Sequence, residues 1–245
     1  MTKLITTETL NKWSACEDGF KRFCELFPEG ADLQTASAGL IADGRPDWSD
    51  WLWGACSRDD DYREQTVLVG GYGSTLTGGY GSTLTGGHYS TLTGGYGSTL
   101  TGGNHSTLTG GNRSTLTGGD YSTLTGGDYS TLTGGGDSTL TGGECSTLTG
   151  GNRSTLTGGD YSTLTGGHYS TLTGGGDSRL TGGDYSTLTG GHYSTLTGGN
   201  CSRLFFHYWD DWRYIGVAAN VGVNGIKPNT PYQCDNMGNI VEVTK

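Results

Sequence analysis

The chain has 245 residues, of which 31% are hydrophobic and 48 are glycine, so most of it lacks the apolar material of a conventional globular core. Its net charge of −10 divides as −6 over residues 1 to 68, −3 over 69 to 204 and −1 beyond. No cluster of Lys and Arg offers a seat for phosphates, which argues against nucleic acid as the partner. The six cysteines, at 16, 24, 56, 145, 201 and 234, have no CxxC or Cys/His spacing and read as reduced thiols. No apolar stretch is long enough for a signal peptide or a membrane span, so synthesis in the cytoplasm is expected.

Residues 1–68 are mixed in composition and hold four of the six tryptophans. They read as a helical N-terminal capping domain, with a docking domain as the alternative. Ser14-Ala15-Cys16-Glu17 has the spacing of a capping box, and Phe20, Phe23, Cys24 and Phe27 fall on one helix face before Pro28 stops it. Trp48, Trp51 and Trp53 follow Pro46 and are expected to pack on the same small core or on the first coil. Val67, Leu68 and Val69 read as a strand leading into the array.

Residues 69–204 repeat Ser-Thr-Leu-Thr-Gly-Gly every eight residues, with serine at each step from Ser74 to Ser202, seventeen units without a slip. Residues 112 to 151 recur almost unchanged as 152 to 191. Thr and Leu favour extended backbone and Gly-Gly breaks it, so each unit predicts a strand of four or five residues followed by a turn. Side chains alternate along a strand, so either Ser and Leu face inward or both threonines do. Outward leucines would form an unbroken apolar ladder and bury two hydroxyls per strand, each costing about 1–3 kcal/mol if unpaired. Leu therefore goes in and both threonines out.

One unit cannot close a coil around its single leucine. Two units make a flat sixteen-residue coil with leucines meeting between two parallel sheets. A triangular coil of three units would leave a lumen too large for one leucine per side. The prediction is an all-β fold: a parallel β-solenoid of about eight flat coils, with a helical N-cap and a mixed C-cap over residues 205–245. Leu76, Leu92 and Leu108 line one sheet and face Leu84, Leu100 and Leu116. With strands ~4.8 Å apart and the two threonines of a strand ~7 Å apart, each face carries two files of methyls and hydroxyls about 40 Å long. Such a lattice suits ordered water.

The units GGYGSTLTGG and GGDYSTLTGG resemble those of the bacterial ice nucleation proteins, built from GYGSTxTAG-type halves that carry Thr-x-Thr. Residues 205–245 resemble that family's C-terminal cap in Trp209-Asp210, Arg213-Tyr214, Gly225-Ile226 and Pro231-Tyr232, preceded by Ser202-Arg203-Leu204. The likeness spans residues 70 to 245. The family's Ala-Gly is Gly-Gly here, its turn tyrosine is scattered, its arrays run to dozens of coils, and its large N-terminal domain is not recognisable. The resemblance implies ice or ordered water as the ligand, display at the cell surface, and self-assembly through arginine-bearing coils.

The expected ice-binding residues are those of the first eight odd-numbered units, which keep both outward threonines: Thr75, Thr77, Thr91, Thr93, Thr107, Thr109, Thr123, Thr125, Thr139, Thr141, Thr155, Thr157, Thr171, Thr173, Thr187 and Thr189. The even face loses one to Arg179. The expected assembly residues are Arg179, Arg203, Trp209 and Trp212, with Phe205 and Phe206 adding apolar surface and Asp177 and Asp184 in reach. Homo-oligomers through the C-terminal end follow, with decay of the repeat as the plain alternative for the arginines. No cofactor, metal or enzymatic activity is expected. Calcium-binding repeats have a nine-residue period with regular aspartates. His88, His105, His168, His192 and His207 read as turn or cap residues, and the inward serines form no Ser-His-Asp set. A solenoid serving only as a spacer or fibre subunit is the alternative function.

Overall fold

The computed structural model describes residues 4–59, 67–210 and 213–243, which fall into two compact units, one helical and one built on the repeat.

The helical unit contains α1 (Thr7–Lys12), α2 (Glu17–Leu26), α3 (Leu33–Ala42) and α4 (Pro46–Arg58). Phe20, Phe23 and Phe27 do share a core, with Ile5, Leu10, Ala36, Leu40 and Leu52. The capping box predicted at Ser14 is not formed. A preceding helix, α1, claims that residue for its own C-terminus. Ser14 adopts φ 58°, its N–H reaches Asn11 O at 3.1 Å, and Ala15 N–H reaches Leu10 O at 3.0 Å, which closes a Schellman turn. The α2 N-cap is Cys16, whose Sγ accepts the Gly19 N–H at 3.4 Å. The capping box of this unit lies instead at Thr6 and Thr9. Trp48 and Trp51 lie on α4, half-buried against the core; the Trp53 side chain lies outside the described residues. Arg22 Nε donates to Asp43 Oδ2 at 2.8 Å, and a second guanidinium nitrogen pairs with the other oxygen.

The repeat forms the predicted flat solenoid. Its strands begin with β1 (Val67–Val69) and β2 (Thr75–Thr77) and follow at eight-residue steps to β16 (Thr187–Gly190) and β17 (Thr195–Gly198). Alternate strands enter opposite parallel sheets, one of ten strands and one of eleven, so each coil is two units. Every leucine from Leu84 to Leu204 is fully buried at 0% exposure, while the first two, Leu68 and Leu76, are half-buried. Strands are shorter than predicted, mostly three residues of Thr-Leu-Thr, because the residue before each serine turns left-handed. Tyr129, for example, has φ 58°.

The Gly-Gly pair follows from close approach. A Cβ on Gly126 would lie 2.7 Å from Ser130 Cβ and 2.9 Å from Leu132 Cδ1, and one on Gly127 would lie 2.8 Å from the backbone N of Asn112 in the preceding coil. Neither place admits a methyl group. The inward serines mostly donate to a glycine carbonyl of the preceding coil, as Ser154 does to Gly135 O at 3.1 Å.

The C-terminal end is all β. In the ten-stranded sheet β18 (Arg203–Asp210) runs parallel to β16 and antiparallel to β19 (Arg213–Asn220). In the other, β20 (Pro231–Cys234) lies antiparallel on β17 and β21 (Ile240–Glu242) on β20. Leu204, Phe206 and Tyr208 point inward, and with Val221, Tyr232 and Cys234 they continue the leucine core. Phe206, expected as surface, is 1% exposed because alternation places it two residues beyond Leu204.

Candidate functional site

The outward threonines of the ten-stranded sheet form eight rungs, from Thr75 and Thr77 to Thr187 and Thr189. Register is kept throughout: Thr91 lies beside Thr107, Thr107 beside Thr123, Thr123 beside Thr139 and Thr139 beside Thr155. Seven spacings of about 4.8 Å make two files about 34 Å long and about 7 Å apart. The side chains are exposed as far as Thr173 and half-buried at Thr187 and Thr189, where the next rung brings Arg203 and Phe205. Among the described residues no hydroxyl of the sixteen bonds within the protein, so each is available to water.

The eleven-stranded face is less uniform. It opens on Val67 and Val69, 63% and 76% exposed, runs clean from Thr83 and Thr85 to Thr163 and Thr165, and then meets Arg179. Thr195 Oγ1 accepts a hydrogen bond from Gln233 Nε2 at 2.8 Å, so the last rung is engaged. The sequence carried no sign of this clamp, because β20 joins the sheet across the end of the array.

Of the expected assembly residues, Arg203, Phe205 and Trp209 lie on one strand, β18, and Arg179 lies on the other sheet. Arg179 lies on the eleven-stranded face and Arg203 on the ten-stranded one, because successive units alternate between sheets. Among the described residues neither forms an ion pair; Asp184 instead accepts the Asn200 N–H at 2.7 Å. Trp209 is 56% exposed near the end of β18, its ring 5.5 Å from Tyr214. Trp212 lies outside the described residues.

The two residues between Gly-Gly and Ser in each unit vary, and they have structural work at the narrow edges. At the first, an Asn, Asp or His side chain accepts the backbone N–H of its counterpart in the next coil. His88 Nδ1 takes Asn104 N–H at 2.9 Å, Asn104 Oδ1 takes Asp120 N–H at 3.2 Å, and Asp120 Oδ1 takes Gly136 N–H at 2.7 Å. The second is the left-handed residue, and its side chain stacks along the edge. The Tyr89 and His105 rings are 4.7 Å apart and those of His105 and Tyr121 are 4.9 Å apart, each pair within 5° of parallel. Arg113 lies 5.9 Å from the Tyr96 ring and 5.6 Å from that of Tyr129, and Arg153 lies 3.5 Å from Asp137. The cysteines of these files, Cys145 and Cys201, push the hydroxyls of neighbouring Tyr129 and Tyr185 upward in pKa, chiefly by charge. The sequence signal for the ladder is the recurrence of Asn, Asp and His at the first of these positions.

Residues 1–56 match the family model described as the YdhT N-terminal domain. No curated protein and no solved structure matches the chain. Among the described residues no helix is long and apolar enough to cross a membrane. The chain is thus a β-solenoid repeat protein with threonine ladders on two faces.

Proposed function

We propose that the protein binds ice, or nucleates it weakly, by ordering water on its ten-stranded face, and that it is not an enzyme. The observation that carries this reading is the array of sixteen outward threonines, in register over eight rungs, with hydroxyls unused by the fold. The hydroxyls anchor waters by hydrogen bonds, and the methyls between them restrict those waters to ordered positions. The likeness of repeat and C-terminal segment to the bacterial ice nucleation proteins supports the same conclusion. A face about 34 Å long is a small template, so one molecule shapes ice or freezes it weakly. Association through the C-terminal end lengthens the template.

A structural solenoid is the second reading, favoured by the Thr-x-Thr strands on both faces, since threonines side by side also support neighbouring strands. Changing Thr123, Thr139 and Thr155 to Lys decides between them. Ice shaping and freezing temperature should fall to background with far-UV circular dichroism retained, because outward residues carry little core energy and the added like charges cost only about 0.2–1 kcal/mol per neighbouring pair. The same change at Thr131, Thr147 and Thr163 should matter less. A wild-type protein that neither shapes ice nor shifts freezing leaves the scaffold reading.

A further inference from the structure

We propose that the helical unit binds a small amphipathic amine, with its apolar body between the helices and its ammonium at Asp47. This inference is independent of the threonine arrays.

The unit contains a cleft of about 360 Å³, partly open to solvent, within the size range of small-molecule sites. Its floor is Leu10, Phe23, Leu40 and Leu52, none more than 3% exposed. Trp48 and Trp51, both half-buried, make a wall. Unfilled space beside such residues forfeits packing, and three local features border it. The α2 N-cap is a thiol, Cys16, where Ser, Thr, Asp or Asn caps better. Gly19 occupies the first turn of α2, although almost any other residue favours a helix more. A Cβ there would lie 3.0 Å from Cys16 Sγ and 3.9 Å from Trp48 Cδ2, so a side chain would enter the cleft. The third feature is the start of α4 at Arg45, which makes no side-chain cap. Its guanidinium instead lies 4.5 Å from the Trp48 ring and braces that wall. Local departures from good helix design are expected at functional sites.

The chemistry of the lining selects the ligand. It is apolar and aromatic, with one carboxylate, Asp47, in a segment whose charge is −6 over residues 1 to 68. The one lining carboxylate disfavours an anion there. An alkyl or aryl body fills the space, and a primary ammonium pairs with Asp47.

Titration of the full chain with a series of n-alkylamines, followed by calorimetry and tryptophan emission, tests this. Affinity should rise about fourfold per added methylene and then level off as the space fills. Octanoate should bind about two- to fivefold more weakly than octylamine, the difference that one exposed ion pair makes. Gly19→Leu should keep the helical circular dichroism and abolish binding. Asp47→Asn, a change at an exposed residue, should reduce octylamine to the level of octanol. Absence of saturable octylamine binding, equal binding of octanoate, or unchanged affinity in Asp47→Asn would overturn the proposal, whether or not Gly19→Leu folds.

Discussion

Leu132 lies in the middle of the eleven-stranded sheet, in register between Leu116 and Leu148, and is 0% exposed. Replacing it with Ala removes three carbons. At about 0.8 kcal/mol each, plus the cavity left behind, the loss is about 2–5 kcal/mol. Aspartate there loses the same contacts and places a carboxyl among leucine methyls. The nearby Ser130 hydroxyl is already occupied with Gly111 O at 3.3 Å and Ser114 Oγ at 3.4 Å. Burial raises the pKa of such an acid, by up to about 3–5 units when complete, and each unit is worth about 1.4 kcal/mol. Together these exceed about 5 kcal/mol at pH 7. The sign follows: the folded variant holds a proton that the unfolded chain releases above about pH 4, so the penalty is smallest below that pH and grows as pH rises toward the folded pKa. Coils stabilise only their neighbours, so the melt of Leu132→Asp should split, with the array failing at its centre before its ends. Thermal melts by circular dichroism at pH 4 and pH 7 read both effects. A single transition at pH 7 within about 2 °C of the wild type would refute the core assignment.

At the edge, Asp120→Ala removes the acceptor of the Gly136 N–H and should cost about 0.5–1.5 kcal/mol, with Asp120→Asn near neutral, as denaturant unfolding will report. Burial, then the charge of Asp59, pushes the Cys56 thiol up to about 12, so alkylation at pH 8 should label the exposed Cys16 and Cys201 and spare Cys56 until the helical unit unfolds. The Arg22 hydrogen bond holds the Asp43 carboxyl below its usual range. Its contribution is full above about pH 4 and is lost as pH falls through the folded value, so Arg22→Gln should flatten the acid limb of the stability curve of the helical unit.

What the sequence revealed and what it hid divide along a physical line. Leu132 and Thr131 were assignable because a strand has two faces and only one arrangement buries the leucines. The two-unit coil followed from the volume of one leucine per strand. Ser14 was misassigned because a capping motif cannot announce that an earlier helix has taken its residue as a C-cap. Arg179 and Arg203 were grouped by their place near the C-terminal end, yet twenty-four residues make three units, and an odd step changes sheets. Phe206 looked like surface because a strand twice the usual length was not foreseen. The acceptor ladder through Asn104 and Asp120 depends on contacts sixteen residues apart, invisible to any local rule.

The contrast between the edge and the face bears on why threonine recurs. At the edges several side chains meet the same need: His88, Asn104 and Asp120 each cap the next coil, and Tyr, His, Arg, Asp and Cys all occupy the left-handed position. Those places vary because the fold accepts alternatives. On the ten-stranded face the fold demands less, since an outward side chain meets solvent and its neighbours across the strands. Valine matches the shape of threonine and favours strands at least as well, and the fold makes no use of the hydroxyl. Strand preference and solvation alone therefore admit valine beside threonine at these sites, yet threonine occupies all sixteen places from Thr75 to Thr189. The water-ordering role proposed above would supply such a requirement, in the pairing of hydroxyl with methyl at a fixed spacing presented to solvent. Valine at Thr123, Thr139 and Thr155 isolates that requirement: the melting temperature should hold or rise while ice shaping weakens. Full ice shaping by this variant would show that the hydroxyls are dispensable.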